Sequence, residues 1–321
     1  MLHRAIGLCV WMLCLLGTAC ALAAEPKAPP GTPLKGDAIC SNCHDESEKK
    51  PVLSIYQTRH GVKADARTPG CQSCHGESDL HVKNPKGVDP RPLTDIPFGT
   101  RSDFSPERQT ESCIACHKSG QRVHWSGSEH QRRDIACTSC HQVHTPNDRV
   151  LSKQTQMEVC FNCHKTQRSQ IHRSSTHPLL VGKMSCTDCH NPHGSVGPKL
   201  MTKGSVNETC YTCHAERRGP FLWEHSPVSD DCTSCHTPHG SNNAPLLVKR
   251  TPWLCQECHS GDHSGPPASG SNLPTGSEVT RNGLLPPANQ SPRQFMNGRN
   301  CLNCHVMVHG SNHPAGAKFS R

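Results

Sequence analysis

Ten copies of Cys-x-x-Cys-His are spread along 321 residues. Their first cysteines and histidines are Cys40 and His44, Cys71 and His75, Cys113 and His117, Cys137 and His141, and Cys160 and His164. The series continues with Cys186 and His190, Cys210 and His214, Cys232 and His236, Cys255 and His259, and Cys301 and His305. The second thiols are Cys43, Cys74, Cys116, Cys140, Cys163, Cys189, Cys213, Cys235, Cys258 and Cys304. Two thiols three residues apart can add across the vinyl groups of one haem, and the adjacent histidine can bind its iron. Zinc would want Cys-x-x-Cys pairs closing one tetrahedral site, with no histidine needed after each. The ten motifs use 20 of the 23 cysteines; the other three, Cys9, Cys14 and Cys20, lie near the N-terminus. No cysteine is left in the rest of the chain for a disulfide, a zinc site or a nucleophile. Ten covalent c-type haems are the expected cofactors.

Each iron also needs a sixth ligand, and the histidines supply it. Of 24 in the chain, one lies near the N-terminus and ten are proximal, leaving 13. The second, fourth, sixth and eighth motifs each carry a histidine shortly before the first cysteine and another after the motif. The unit reads His130…Cys137-x-x-Cys-His141-x-x-His144, and recurs with His177 and His193 around Cys186, then with His225 and His239 around Cys232. The motifs at Cys113, Cys160 and Cys210 lack both. The repeat is therefore a haem pair in about 46 to 50 residues. His60 and His81 do the same work for the first pair, and His263 and His309 for the fifth. The spares are His124, His172 and His313, and His313 could replace His309 or His263. Methionine ligation would raise potentials, but histidines suffice for every iron and only Met157, Met184, Met201, Met296 and Met307 follow the N-terminal segment.

The elements that position these groups must be sparse. Apolar residues are 33% and aromatics 4%, while Gly and Pro number 25 and 27. Such a chain cannot bury a conventional core; the porphyrins must supply the apolar surface, and the polypeptide wraps them. The expected fold is a multihaem cytochrome c, mostly irregular with short α-helices and almost no sheet. Residues 1–23 read as an export signal: a short polar start, an apolar run from Ile6 to Leu16, and Ala21 and Ala23 before a cleavage point. The apolar run is shorter than a membrane span needs, and Gly17 stands where a lipoprotein signal ending at Cys20 would carry leucine. A flexible segment follows at 24–37. Residues 38–321 form one domain of five haem-pair repeats, interrupted by a Gly/Pro/Ser/Asn-rich loop at about 264–300.

The formal charge of +8 says little about partners. Losing the signal leaves about +7, and ionised propionates bring the loaded protein to about −3 oxidised and about −13 reduced. No basic stripe with interleaved aromatics points to nucleic acid. Irons saturated by protein ligands have no position for substrate, and groups such as Tyr56, Tyr211, Asp188 and Glu216 read as supporting or surface residues rather than an acid–base constellation. The expectation is an electron conductor rather than an enzyme. A soluble shuttle or store, or a catalytic multihaem oxidoreductase with an open haem, are the alternatives.

The repeat histidines resemble those of the MtrA/DmsE family of periplasmic decahaem cytochromes, as do Cys137-Thr-Ser-Cys-His-Gln-Val-His144, Cys186-Thr-Asp-Cys-His-Asn-Pro-His-Gly194 and Cys210-Tyr-Thr-Cys-His-Ala-Glu-Arg-Arg-Gly219. Leu222-Trp-Glu-His225 and Cys301-Leu-Asn-Cys-His305…His309-Gly-Ser-Asn-His-Pro314 extend the likeness, which covers the chain from the first motif to the last. The resemblance implies an extended, rod-like haem chain, in a protein that inserts into an outer-membrane β-barrel porin. There it would link a periplasmic or inner-membrane cytochrome to extracellular donors or acceptors, or to a cell-surface cytochrome or reductase. Iron and manganese reduction, sulfoxide respiration and Fe(II) oxidation are the processes it implies. It also implies that the ten proximal histidines and the matched distal ones are iron ligands.

Overall fold

The computed structural model describes residues 36–48, 51–62, 64–84, 86–99, 104–259, 300–303, 305–314 and 316–319. The proposed signal, most of the N-terminal segment, the 264–299 part of the loop, His263 and Cys304 lie outside them. Among the described residues there are short α-helices, 3-10 turns and isolated β-bridges, and no extended strand.

From the second pair onward the two kinds of motif have two kinds of local structure. Those at Cys113, Cys160, Cys210 and Cys255 sit at the ends of α-helices, Pro106–Ile114, Lys153–Cys160, Val206–Cys210 and Trp253–Gln256. Those at Cys137, Cys186, Cys232 and Cys301 open 3-10 turns, Cys137–Ser139, Cys186–Asp188, Cys232–Ser234 and Cys301–Asn303. Helix starts follow ordinary chemistry: Ser105 Oγ accepts from Arg108 N ahead of Pro106, and Ser205 Oγ accepts from Glu208 N at 3.1 Å. In either setting the histidine N–H donates to the first cysteine's carbonyl, at 2.9 Å for His117 and 3.0 Å for His190. One turn therefore carries residues i, i+3 and i+4 on the same side, as attachment to one haem requires.

A buried polar side chain clasps the two motifs of a pair. Asp37 Oδ1 accepts from Cys71 N at 2.8 Å, and its Oδ2 accepts from Tyr56 Oη at 2.8 Å. Gln156 Oε1 accepts from Thr187 N and Oγ1, both at 3.2 Å. Asn207 Oδ1 accepts from Cys232 N at 2.8 Å while its Nδ2 donates to Val228 O and Ser229 O, both at 3.0 Å. Each of the three precedes the first motif of its pair by a helical turn, and each is buried.

The protein's own core is small, as the composition implies. Met157, Phe161 and Ile171 form the one cluster of buried apolar residues described, with Leu179 and Cys186 packed on it. Backbone bridges do the rest. Ser175 pairs with Ser241, and Trp223 with Ser311, through two N–H···O bonds each of 2.8–3.0 Å. In both, the chain two residues before an upstream candidate distal histidine (His177, His225) pairs with the chain two residues after a downstream one (His239, His309).

Candidate haem ligand set

Nine of the ten proximal histidines have a second histidine ring beside them. His44 lies 6.0 Å from His81 between ring centroids, His75 6.2 Å from His144, and His117 6.0 Å from His60. His141 is 6.1 Å from His193, His164 6.1 Å from His130, and His190 6.0 Å from His239. His214 is 6.4 Å from His177, His236 6.2 Å from His309, and His259 6.1 Å from His225. A metal bonded to two imidazoles asks for about this spacing: roughly 2 Å for each bond and about 1 Å from nitrogen to ring centre. His263, the remaining candidate of the fifth pair, lies outside the described residues.

Beyond His81 with His44, the partners do not come from the same repeat. A histidine after an even motif meets the proximal histidine two motifs back, as His144 meets His75 and His239 meets His190. A histidine before an even motif meets the one in the following motif, as His130 meets His164 and His225 meets His259. His60 thus stands against His117 of the second pair, outside the pair that its position suggests. At the N-terminal end the rule runs out of motifs, and His81 falls back on His44. His309 itself occupies the place beside His236, so His313 does not replace it there. His124 and His172 are exposed.

The rings are held by their other nitrogen. Nδ1 of His81, His130, His144, His177 and His225 is within 2.7–3.0 Å of the carbonyl oxygens of Pro92, Pro192, Val52, Pro238 and Val308. Nδ1 of His75, His190, His236 and His305 likewise meets the carbonyls of Ile96, Lys199, Pro245 and Lys318. His44 and His141 use carboxylates instead, Glu48 at 2.8 Å and Asp148 at 2.7 Å. A ring that donates from Nδ1 presents Nε2 to a metal, with its tautomer and orientation fixed. His309 differs, its Nδ1 lying 3.4 Å from the donor Arg217 Nη1. Burial, then the charges of His141 and Arg122, depresses the His193 ring's pKa to about 4. Burial lowers His75, His236, His239 and His309 as well. Such rings are neutral at pH 7, the form that binds metal.

The donor set suits haem. Among the described residues no three His, Cys, Asp or Glu side chains converge to hold a bare metal ion, whereas an iron already in a porphyrin takes two axial ligands. His193 Nδ1 and Trp125 Nε1 are both buried without a protein partner, on rings 6.4 Å apart. Buried donors want an acceptor, and haem carries two carboxylates.

The motifs also adjoin in chain order. The first cysteines neighbour one another within pairs, Cys40 with Cys71, Cys113 with Cys137, Cys160 with Cys186, Cys210 with Cys232 and Cys255 with Cys301. The second cysteines neighbour one another between pairs, Cys74 with Cys116, Cys140 with Cys163, Cys189 with Cys213 and Cys235 with Cys258. Attachment sites one to ten form an unbroken series.

Sequence reasoning missed the clasps Asp37, Gln156 and Asn207 and the carboxylates Glu48 and Asp148. Of the four groups read as supporting, Tyr56 bonds Asp37, Asp188 Oδ2 accepts from Ser185 N at 2.8 Å, Tyr211 lies under the Arg218 guanidinium, and Glu216 is 3.7 Å from His214. They do not assemble into a reactive site.

Short helices and serial Cys-x-x-Cys-His turns backed by paired imidazoles, with no sheet among the described residues, define a multihaem c-type cytochrome. A family model for the doubled CXXCH motif matches residues 177–219 and 225–264, and one for NrfB-like cytochrome c-type proteins matches 71–155. The chain is 46% identical over 291 residues to the multihaem cytochrome MtrA of Shewanella baltica strain OS185, covering 89% of this chain and 82% of that one. It is 26% identical over 166 residues to the cytochrome c-type protein NrfB of Escherichia coli O6:H1, covering 48% and 79%. NrfB of Haemophilus influenzae is 28% identical over 151 residues, covering 41% and 66%. The chain belongs to the MtrA family of multihaem cytochromes and is an electron-transfer protein.

Proposed function

We propose that the chain holds ten haems, each ligated by two histidines, and carries electrons from one end to the other through an outer-membrane β-barrel. The ligands are the ten proximal histidines with His60, His81, His130, His144, His177, His193, His225, His239, His263 and His309. Bound haem supplies reversible one-electron chemistry at iron. The observation that carries the reading is the set of nine imidazole pairs 6.0–6.4 Å apart, on attachment sites that adjoin in sequence order. The protein's work is to fix the imidazoles, to occupy both axial positions and so deny them to substrate, and to keep neighbouring sites close.

The domain is one unit of five interleaved repeats from residue 38 onward, since the distal histidines of one repeat serve its neighbours on either side. It works in the periplasm, at the outer membrane. Among the described residues no helix is long and apolar enough to cross a membrane, so crossing lipid requires a partner to face it, and a closed barrel is the structure that can. A periplasmic or inner-membrane cytochrome exchanges electrons at one end, and a surface cytochrome, reductase or extracellular mineral at the other. With every iron saturated, the protein is a carrier and not an enzyme.

Reconstitution with the barrel in liposomes containing a redox dye tests this. External reductant should discharge the internal dye with both proteins present and not with either alone. Equal transfer without the barrel, or none with both loaded proteins, would overturn the proposal.

A further inference from the structure

The proximal imidazoles lean on two kinds of acceptor. His75, His190, His236 and His305 use backbone carbonyls, while His44 and His141 use the carboxylates of Glu48 and Asp148. The two carboxylates differ in surroundings. Glu48's side chain is 34% exposed and Asp148's 12%, and a charge acts far more strongly where water is excluded.

Asp148 is also fixed in place. Its Oδ1 accepts from Val150 N at 3.3 Å and its main-chain oxygen from Leu151 N at 3.0 Å, capping the turn Arg149–Leu151. Its Oδ2 is thereby held on His141 at 2.7 Å. Holding the ring does not require a charge. In the next two repeats Gly197 and Asn243 stand at the equivalent place, and the carbonyls of Lys199 and Pro245 do the orienting. The charge must therefore have another effect. A carboxylate accepting from Nδ1–H draws the proton toward itself and makes the imidazole a stronger electron donor at Nε2. That favours the oxidised metal. Arg122, on the His193 side, acts in the opposite sense through space without bonding either ring.

We propose that Asp148 sets the potential of the fourth haem, holding it below the value that a carbonyl-backed histidine would give. Asp148 touches neither iron nor substrate; it is a positioning residue that acts through His141. The inference rests on the proposed ligation of one iron by His141 and His193.

The test uses the full ten-haem protein and Asp148→Asn, which keeps an acceptor oxygen and removes the charge. In a potentiometric titration one haem equivalent of ten should become easier to reduce by roughly tenfold, or 59 mV for one electron, with the other nine unmoved. Glu48→Gln should shift its haem less. The wild-type EPR spectrum should contain one low-spin species with the narrowed g-spread of imidazolate ligation, lost in Asp148→Asn. A superimposable titration in a fully loaded variant would overturn the proposal. Were the variant to lose haem, absence of the narrowed species from the wild type would overturn it equally. His193→Met separates this from the underlying assignment: without a new His/Met spectrum at one haem, the ligand pairing fails, whatever Asp148 does.

Discussion

The ring planes of His141 and His193 are 11° from parallel and their centroids 6.1 Å apart, though they belong to successive repeats. The same relationship, one repeat on, joins His190 to His239 at 6.0 Å and 21°. Replacing His193 or His239 with Met should leave ten haems attached, because the thioethers do not depend on the distal ligand. The affected haem should rise in potential, and end-to-end transfer should slow. Stopped-flow transfer and redox titration on the two variants check this; wild-type behaviour in both would remove them from the ligand set.

Asn207 joins the two motifs of the fourth pair with three hydrogen bonds. Asn207→Ala leaves Cys232 N and two carbonyls without that partner, and should cost about 2–4 kcal/mol. A lowered thermal midpoint by circular dichroism, with the haem count intact, is the expected result.

Gly240 follows a distal histidine at φ +147°, with its α-carbon against the Gln170 backbone. An added methyl would overlap the Gln170 carbonyl, so Gly240→Ala should displace His239 as well as strain the chain, by about 1–3 kcal/mol for the backbone alone. The readout is a high-spin signal at one haem. Gly194, at φ +109° over the His124 carbonyl, should behave alike, and Gly204, with open space around its α-carbon, serves as the control.

A core of Met157, Phe161 and Ile171 cannot balance the conformational entropy of a chain this long. Made in cells lacking haem attachment machinery, the chain should be unfolded, with no cooperative thermal transition and collapsed amide dispersion in its NMR spectrum. A cooperative transition would show that the polypeptide has a core of its own.

The attachment sites and the candidate distal histidines are legible in the sequence because covalent attachment and axial ligation demand fixed residue types at close spacing. The short helices, and the lack of sheet among the described residues, follow from composition. What is not legible is reach. His130 meets His164 while Pro192, in the next repeat, supplies the carbonyl behind its ring; neither separation leaves a local pattern. Asp148 looks like any loop acid until its carboxylate is seen on His141. Asn207 and Gln156 look like ordinary polar helix residues, and only their burial against a later motif gives them away.

EPR of the fully oxidised protein, with a pyridine haemochrome count on the same sample, tests saturated coordination most directly. The account predicts ten haems per chain, all low-spin. A high-spin signal near one haem equivalent would contradict it, because an iron with an open axial position can bind substrate and the chain would no longer be a carrier alone.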